Sequence, residues 1–362
     1  MAQRVPWVLL SLHGGALVDR SSLRRVIPLT EVVRATALVI LTLLILTGKA
    51  GMPALYAVAF VIGTGDTLVS TGLHTAIPHM VPDAALDKAN GRIQLTQVSG
   101  DYFIGPALGG LLFAVIAWLP FALDALSYGI AAGILAVVLP ARPPKDRTSR
   151  INADIAEGLR WFARSRVLRL LAFVIAGFAF FQATVFSLLV LLTTDQLGLS
   201  DVGFGLFLTV GAGGNILGAF AAERLPTNRI DYVVIGAGTV AAATYVVMGL
   251  TTSFWVAGVA FFIEGIVLAV ANIVTMSLRQ RLIPREMLGR VGAAFRMCLF
   301  GMMPLGALFG GVIADLTTVG TLTWLAGVGQ LLAVGVVAPG LIRVLGPDVG
   351  QAATQSEHTE LN

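Results

Sequence analysis

Runs of about twenty apolar residues, the length that crosses the hydrocarbon core of a bilayer as a helix, follow one another along this whole chain. Eleven such spans are predicted, over about 4–18, 26–48, 53–78, 92–117, 119–139, 167–193, 202–222, 231–250, 254–278, 290–314 and 320–342. Proline, glycine or charge breaks each one, as at Gly51 to Pro53, Pro82–Asp83, Pro143–Pro144 and Pro284 to Glu286. Only 12% of the 362 residues are charged, about half the share in soluble chains. The expected fold class is therefore all-α integral membrane protein. A net charge of +4 suggests nucleic acid in a soluble protein, but here the basic residues sit at helix ends and no nucleic-acid partner is expected. The single cysteine, Cys298, falls inside a span, where it reads as a small apolar packing residue.

The chain also repeats itself. Pro82, Leu86 and Lys88 are matched at the same spacing by Pro284, Leu288 and Arg290, and the glycine pair Gly109–Gly110 by Gly310–Gly311. Upstream, Gly15, Asp19 and Arg20 are matched by Ala219, Glu223 and Arg224. An internal repeat of this length in so apolar a chain is how many transporters are built, as two similar halves around a central path. Arg4, the apolar run 5–12 and Gly14 to Ala16 imitate a short signal peptide, but the internal partner of Asp19–Arg20 argues against cleavage there.

Basic residues set the orientation. Twenty of the 24 Lys and Arg fall in alternate connections, while the opposite connections hold Lys49 alone. By the positive-inside rule the C-terminus and the long connection 140–166 face the cytoplasm. Trp7, Trp118, Trp255 and Trp324 then fall at outer ends, where amphipathic rings favour the headgroup layer. Within 140–166, Ile155, Leu159, Phe162 and Ala163 share one helical face, with Arg160, Arg164 and Arg166 away from it. That pattern suits a helix on the inner membrane surface. The domain reading is an N-terminal bundle 1–139, a cytoplasmic linker 140–166, a C-terminal bundle 167–345 and a disordered cytoplasmic tail 346–362.

Gly15, Asp19, Arg20, Arg24 and Arg25 sit where a span ends on the cytoplasmic side. A glycine one turn before an aspartate lets a neighbouring helix approach, and the carboxylate can pair with its N-terminus or with an arginine. Such a cluster can act as a conformational latch; topology charge alone explains the arginines but neither the glycine nor the aspartate. This segment resembles the loop signature of the major facilitator superfamily, and Gly105, Pro106, Gly109 and Gly110 resemble its antiporter motif. The stretches Ala89 to Arg92, Asp124 to Tyr128 and Gly158 to Trp161 resemble the drug-efflux branch that includes macrolide and enterobactin exporters. The resemblance implies two pseudo-symmetric six-helix bundles and alternating access. The second copy of the loop signature is degraded, with Ala219, Glu223 and Asn228 in place of Gly, Asp and Arg, and Asp101 stands where the family usually has glycine. Physically, Gly105 and Gly109 permit close helix contact and Pro106 bends its span.

Ionisable residues inside spans point to function, because a charge at mid-bilayer costs about 2.5–3.5 kcal/mol or more. Asp66, Asp101 and Glu264 are the proton-coupling candidates, Asp66 first by depth, each weighed against a purely structural hydrogen-bonded carboxylate. Arg296 is a candidate counter-charge. Glu31 and Arg34, three apart on one helix face, read as a local ion pair, and Asp124 reads as structural. Phe178, Phe180, Phe181 and Phe186 are candidates to line an apolar drug pocket, or pack against core or lipid. His74 and His79 make no metal site. No phosphate-binding loop or hydrolase motif occurs, so no cofactor, metal or enzymatic activity is expected.

The function expected is secondary active transport in the plasma membrane, a bacterial inner membrane: proton-coupled efflux of amphipathic small molecules, with protons and the lipid bilayer as the other partners and a monomer as the default state. The alternative is a truncated or degenerate, non-transporting membrane protein. It rests on the repeat, whose offset places the first-half counterpart of the span 167–193 before Met1, so that one lining helix of the twelve implied by the resemblance is expected to be missing.

Overall fold

The computed structural model describes residues 5–139, 151–225, 229–314 and 316–345. All regular structure there is helical: α1 (Val5–Arg20), α2 (Leu23–Leu46), α3 (Met52–Met80), α4 (Leu86–Val98), α5 (Gly105–Val115), α6 (Leu119–Val138), α7 (Ile151–Arg164), α8 (Arg166–Ser187), the single turn α9 (Leu189–Leu191), α10 (Asp201–Ala222), α11 (Ile230–Leu250), α12 (Phe254–Leu282), α13 (Leu288–Ala314) and α14 (Val319–Leu345). The expected tail 346–362 and residues 140–150 of the linker lie outside the described residues.

Local chemistry sets the ends. Pro53 and Pro120 open α3 and α6, where the missing N–H is one the helix would leave unpaired anyway. Ser165 and Ser200 cap α8 and α10, their hydroxyls accepting from Leu168 N–H and Gly203 N–H. Gly48, just past α2, takes the left-handed conformation (φ +66°) that only glycine adopts without steric cost.

Among the described residues, nine helices are long and apolar enough to cross a membrane: α2, α3, α6, α8 and α10 to α14. The two other predicted spans correspond to α1, of 16 residues, and to the interrupted run α4–α5. That run starts at Leu86, earlier than expected, and is widened by a π-helical turn over Ser99–Ile104 immediately before Pro106. Proline cannot donate to the carbonyl four residues back, and its ring crowds that carbonyl, so the turn upstream opens.

The helices form two compact units whose segments interleave along the chain. One comprises Met1–Leu86, Ile104–Arg164 and Gln280–Met297; the other Asp87–Phe103, Ser165–Arg279 and Cys298–Asn362. The boundaries thus differ from a simple division at 139 and 167. The exchanged segments, 87–103 and 280–297, fall in the two copies of the Pro-Leu-basic repeat, each grouped with helices of the other half. In the first unit α2 packs between α3 and α6, around Leu38, Leu41 and Ala125. In the second α14 packs on α11 and α8, and Phe207, Leu189, Leu192, Tyr245 and Met248 fill the core.

Candidate functional site

Three groups of polar residues are built into these units. The first joins the end of α1 to the start of α13. Asp19 Oδ1 accepts from Gly289 N–H at 2.9 Å, and Oδ2 accepts from Arg290 N–H at 3.0 Å and Arg290 Nε at 3.2 Å. These amides belong to the first turn of α13, which has no intrahelical acceptors and carries the positive end of the helix dipole. Glycines bring the backbones together: a Cβ on Gly289 would stand 2.6 Å from the Gly15 carbonyl oxygen, and one on Gly15 would stand 2.8 Å from Ala293 Cβ. Asp19 lies beyond the predicted span 4–18. Burial pushes its carboxyl up to about 6 from 3.8, against the pull of the Arg290 and Gly289 backbone amides and the Arg290 charge.

The same arginine ties in α7. Arg290, its side chain 1% exposed, donates to Glu157 Oε2 at 2.7 Å and lies 3.8 Å from Asp154 Oδ1. Arg20 Nε donates to Asp154 Oδ2 at 2.6 Å. Gly158 makes room, since a Cβ there would stand 2.8 Å from Arg290 Cβ, and Phe162 packs edge-on against Phe295. This corrects the expectation for α7: the face carrying Asp154, Glu157, Gly158 and Phe162 is docked on the first turns of α13, so Phe162 is not among its membrane-facing residues. Arg24 donates to the Ala136 carbonyl near the end of α6, and Arg25 and Arg224 are exposed. The second copy makes a looser approach in its own unit. A Cβ on Gly91 of α4 would stand 3.3 Å from the Ala219 carbonyl oxygen and 3.6 Å from Glu223 Oε1.

The second group lies within spans α2, α3 and α6. Arg34 donates to both Glu31 oxygens at 3.1 and 3.2 Å, to Asp66 Oδ1 at 2.5 Å and to Tyr128 Oη at 2.6 Å. The expected local pair is present, and Arg34 is also the counter-charge of Asp66, a role expected of Arg296. Arg296 donates to Thr71 Oγ1 at 2.7 Å. Gly65 accommodates the arginine stem, because a Cβ there would stand 2.7 Å from Arg34 Cγ. Arg34 is 7% exposed and Asp66 28%, so the cluster is a buried ion group with one accessible carboxylate.

The third group surrounds Glu264 on α12. Tyr245 Oη donates to Glu264 Oε1 at 3.0 Å, and Gln182 is a further hydrogen-bond partner. These three and Asn215 line a cavity of about 80 Å³ otherwise walled by residues such as Phe186, Leu208, Phe261 and Leu268. Close contact of α10 and α12 at Gly211, Gly214 and Gly265 sets the wall. Of the four candidate phenylalanines, Phe186 lines this cavity, Phe181 packs on the adjoining core, Phe178 lines a smaller pocket with Gln330, and Phe180 packs on Phe309.

The antiporter-like motif behaves differently from its expectation. Pro106 stands at the junction of the π-turn and α5, but a Cβ on Gly109 would meet nothing within 4 Å and Gly105 is exposed. Close helix packing is found instead at the second copy, where Gly306 abuts Phe180 and Gly310 abuts Thr184 and Ser187 of α8. The side chains of Asp101 and Pro106, and the surroundings of Gly110, lie outside the described residues. Among the described residues no group of three His, Cys, Asp or Glu is placed to hold a metal.

Sequence reasoning missed Tyr128, Tyr245, Gln182, Asp154 and Glu157 as partners. The i, i+3 spacing of Asp154 and Glu157 beside Gly158 was a usable signal for α7; the others have none without the packing.

Residues 1–359 match the family described as transmembrane secretion effectors. The chain is 26% identical over 360 residues to the multidrug efflux pump Tap of Mycolicibacterium fortuitum, covering 95% of this chain and 86% of that protein. It is 27% identical over 339 residues to the enterobactin exporter EntS of Shigella boydii, covering 90% and 77%. In fold it is similar to the human organic anion transporter MFSD10, with a TM-score of 0.78 at 19% identity over 93% and 82% of the two chains. It is also similar to an outward-facing bacterial homologue of the iron transporter ferroportin, with a TM-score of 0.75 at 19% identity over 94% and 88%. The helical spans, the repeated loop cluster and a match along almost the whole sequence place the chain, a multi-pass membrane protein, in the transmembrane secretion effector family of major facilitator superfamily transporters.

Proposed function

We propose that this protein is a proton-coupled exporter of amphipathic small molecules, working by alternating access in the plasma membrane with its C-terminus cytoplasmic. The observation that carries the reading is the buried Glu31–Arg34–Asp66–Tyr128 group within α2, α3 and α6. It holds two carboxylates against one guanidinium, so one carboxylate can take up and release a proton while Arg34 remains paired. Asp66, the more exposed, is assigned as the carrier; Glu264 and Asp101 are the further candidates. The Asp19–Arg290 cluster serves as the latch, with Gly15, Arg20, Arg24, Arg25, Glu223 and Arg224 in or beside the two copies of its loop. The multidrug efflux pump and the enterobactin exporter among the relatives support the outward direction and the class of substrate. The non-transporting reading is not favoured, since the relatives include exporters and both the ion group and the Asp19–Arg290 contact are formed.

Efflux of ethidium and of a macrolide from intact cells tests this. Export is expected to collapse when the proton gradient is dissipated, and to fall at least tenfold in Asp66→Asn. Gradient-independent efflux would remove the coupling, and full activity of Asp66→Asn would remove the assigned carrier.

A further inference from the structure

The cavity beside Glu264 is electrically unbalanced. Among the described residues its lining contains one charged residue, a glutamate only 6% exposed, and no lysine, arginine or histidine. The hydrogen-bond partners Tyr245 and Gln182 are neutral, and Asn215 is held from α4 by Gln94, whose Nε2 donates to its Oδ1 at 3.1 Å. Neutral donors offset only part of the cost of a carboxylate in an apolar, membrane-embedded unit. The rest of the wall includes two aromatic rings, Phe186 and Phe261, which attract cations at their faces. The contrast with Arg34 is direct: there a guanidinium faces the carboxylates, whereas no basic side chain among the described residues lines this cavity.

We propose that this cavity seats the positively charged headgroup of an amphipathic organic cation, a quaternary or protonated amine, with Glu264 as the counter-charge. The proposal rests on the transporter reading and specifies its substrate class. Size limits what enters. A cavity of about 80 Å³ is roughly half of one that encloses a benzene ring, so it takes a headgroup and leaves the apolar body of the ligand outside. Tyr245 and Gln182 position the carboxylate.

The test measures binding to purified protein in lipid nanodiscs, with empty nanodiscs as the control for partition. Three probes share one ring and differ in charge: benzyltrimethylammonium, its neutral carbon analogue neopentylbenzene, and benzenesulfonate. The cation alone is expected to bind saturably. Glu264→Gln should weaken it at least tenfold. A neutral probe binding as tightly as the cation, or unchanged cation binding in a folded Glu264→Gln, overturns the proposal. If Glu264→Gln does not fold, the charge series on the unaltered protein decides. No proton gradient exists in this assay, so the two readings fail separately. Gradient-driven export without cation binding sinks the headgroup site alone, and saturable cation binding without gradient-driven export sinks the coupling alone.

Discussion

Gly15→Ala is expected to open the contact between α1 and α13, although alanine improves helix propensity over glycine by about 1 kcal/mol. The new methyl would stand 2.8 Å from Ala293 Cβ and nearer still to the Gly289 carbonyl oxygen, where ordinary contact begins at 3.4 Å. The helices must therefore part by roughly 1 Å to restore carbon contacts of about 3.5–4 Å. The bonds from Gly289 and Arg290 N–H to Asp19, now 2.9 and 3.0 Å, then stretch past the useful range. Hydrogen bonds to a charged group contribute about 1.5–3 kcal/mol each. Losing two costs about 3 kcal/mol at the lower bound, roughly a hundredfold in the opening equilibrium. Amide hydrogen exchange reads this directly, because those two N–H groups are the reporters. Their exchange should accelerate about a hundredfold in Gly15→Ala, while amides in the middle of α11 keep their protection. Unchanged or slower exchange at Gly289 and Arg290 would refute the argument, since propensity alone predicts that sign.

The Asp19 carboxyl also makes this contact pH-dependent. Its value is raised from 3.8 to about 6 by burial, so the closed contact binds a proton more tightly than the open one. The resulting advantage is fully present below about 3.8 and is lost as pH rises through about 6. Exchange protection at Gly289, corrected for intrinsic rates, should therefore fall between pH 4 and 6 and level off above; a flat profile refutes it, and Asp19→Asn should be flat. Arg34→Lys keeps the charge but cannot reach Glu31, Asp66 and Tyr128 together, so it should destabilise the protein by about 2 kcal/mol or more; an unchanged melting temperature in detergent would contradict this. Gly306→Val should lower the melting temperature sharply because its side chain would run into the Phe180 backbone, whereas Gly109→Val, facing open space, should be neutral. Equal damage at both positions would mean that a helix also occupies the Gly109 face.

The span positions, the loop cluster and the places of Asp19 and Asp66 in their helices were legible because each depends on a local rule: hydropathy over about twenty residues, a charge where none is cheap, a glycine one turn from an aspartate. The partners were not legible in the same way. Arg34 is 32 residues from Asp66 and Arg290 is 271 from Asp19, and such pairings follow from helix packing that no window of sequence contains. Phe162 of α7 shows a related limit. An apolar stripe flanked by arginines states that a helix has one dry face, but lipid and another helix are equally acceptable to that face, and Phe295 supplied the second.

Glycine spacing shows how far a motif can carry an inference. Gly105 and Gly109 repeat the spacing of Gly306 and Gly310, yet the second pair is packed against a helix while Gly109 meets nothing within 4 Å and Gly105 is exposed. What seats that second pair is α8, through Phe180, Thr184 and Ser187. A pair of glycines is thus permission for two backbones to approach, and the structure acts on it only where a partner stands opposite. The charged loop obeys the same logic. Asp19 finds the first turn of α13 with two free amides and an arginine, so a close approach becomes a hydrogen-bonded contact. Glu223, one methylene longer and preceded by Ala219 in place of glycine, stands 3.6 Å from the Cβ position of Gly91. The Gly91 Cβ position lies 3.3 Å from the Ala219 carbonyl oxygen, against 2.6 Å between the Gly289 position and that of Gly15, so the second copy is the looser contact. Restoring glycine at 219 should therefore do more for the second copy than exchanging Glu223 for aspartate alone.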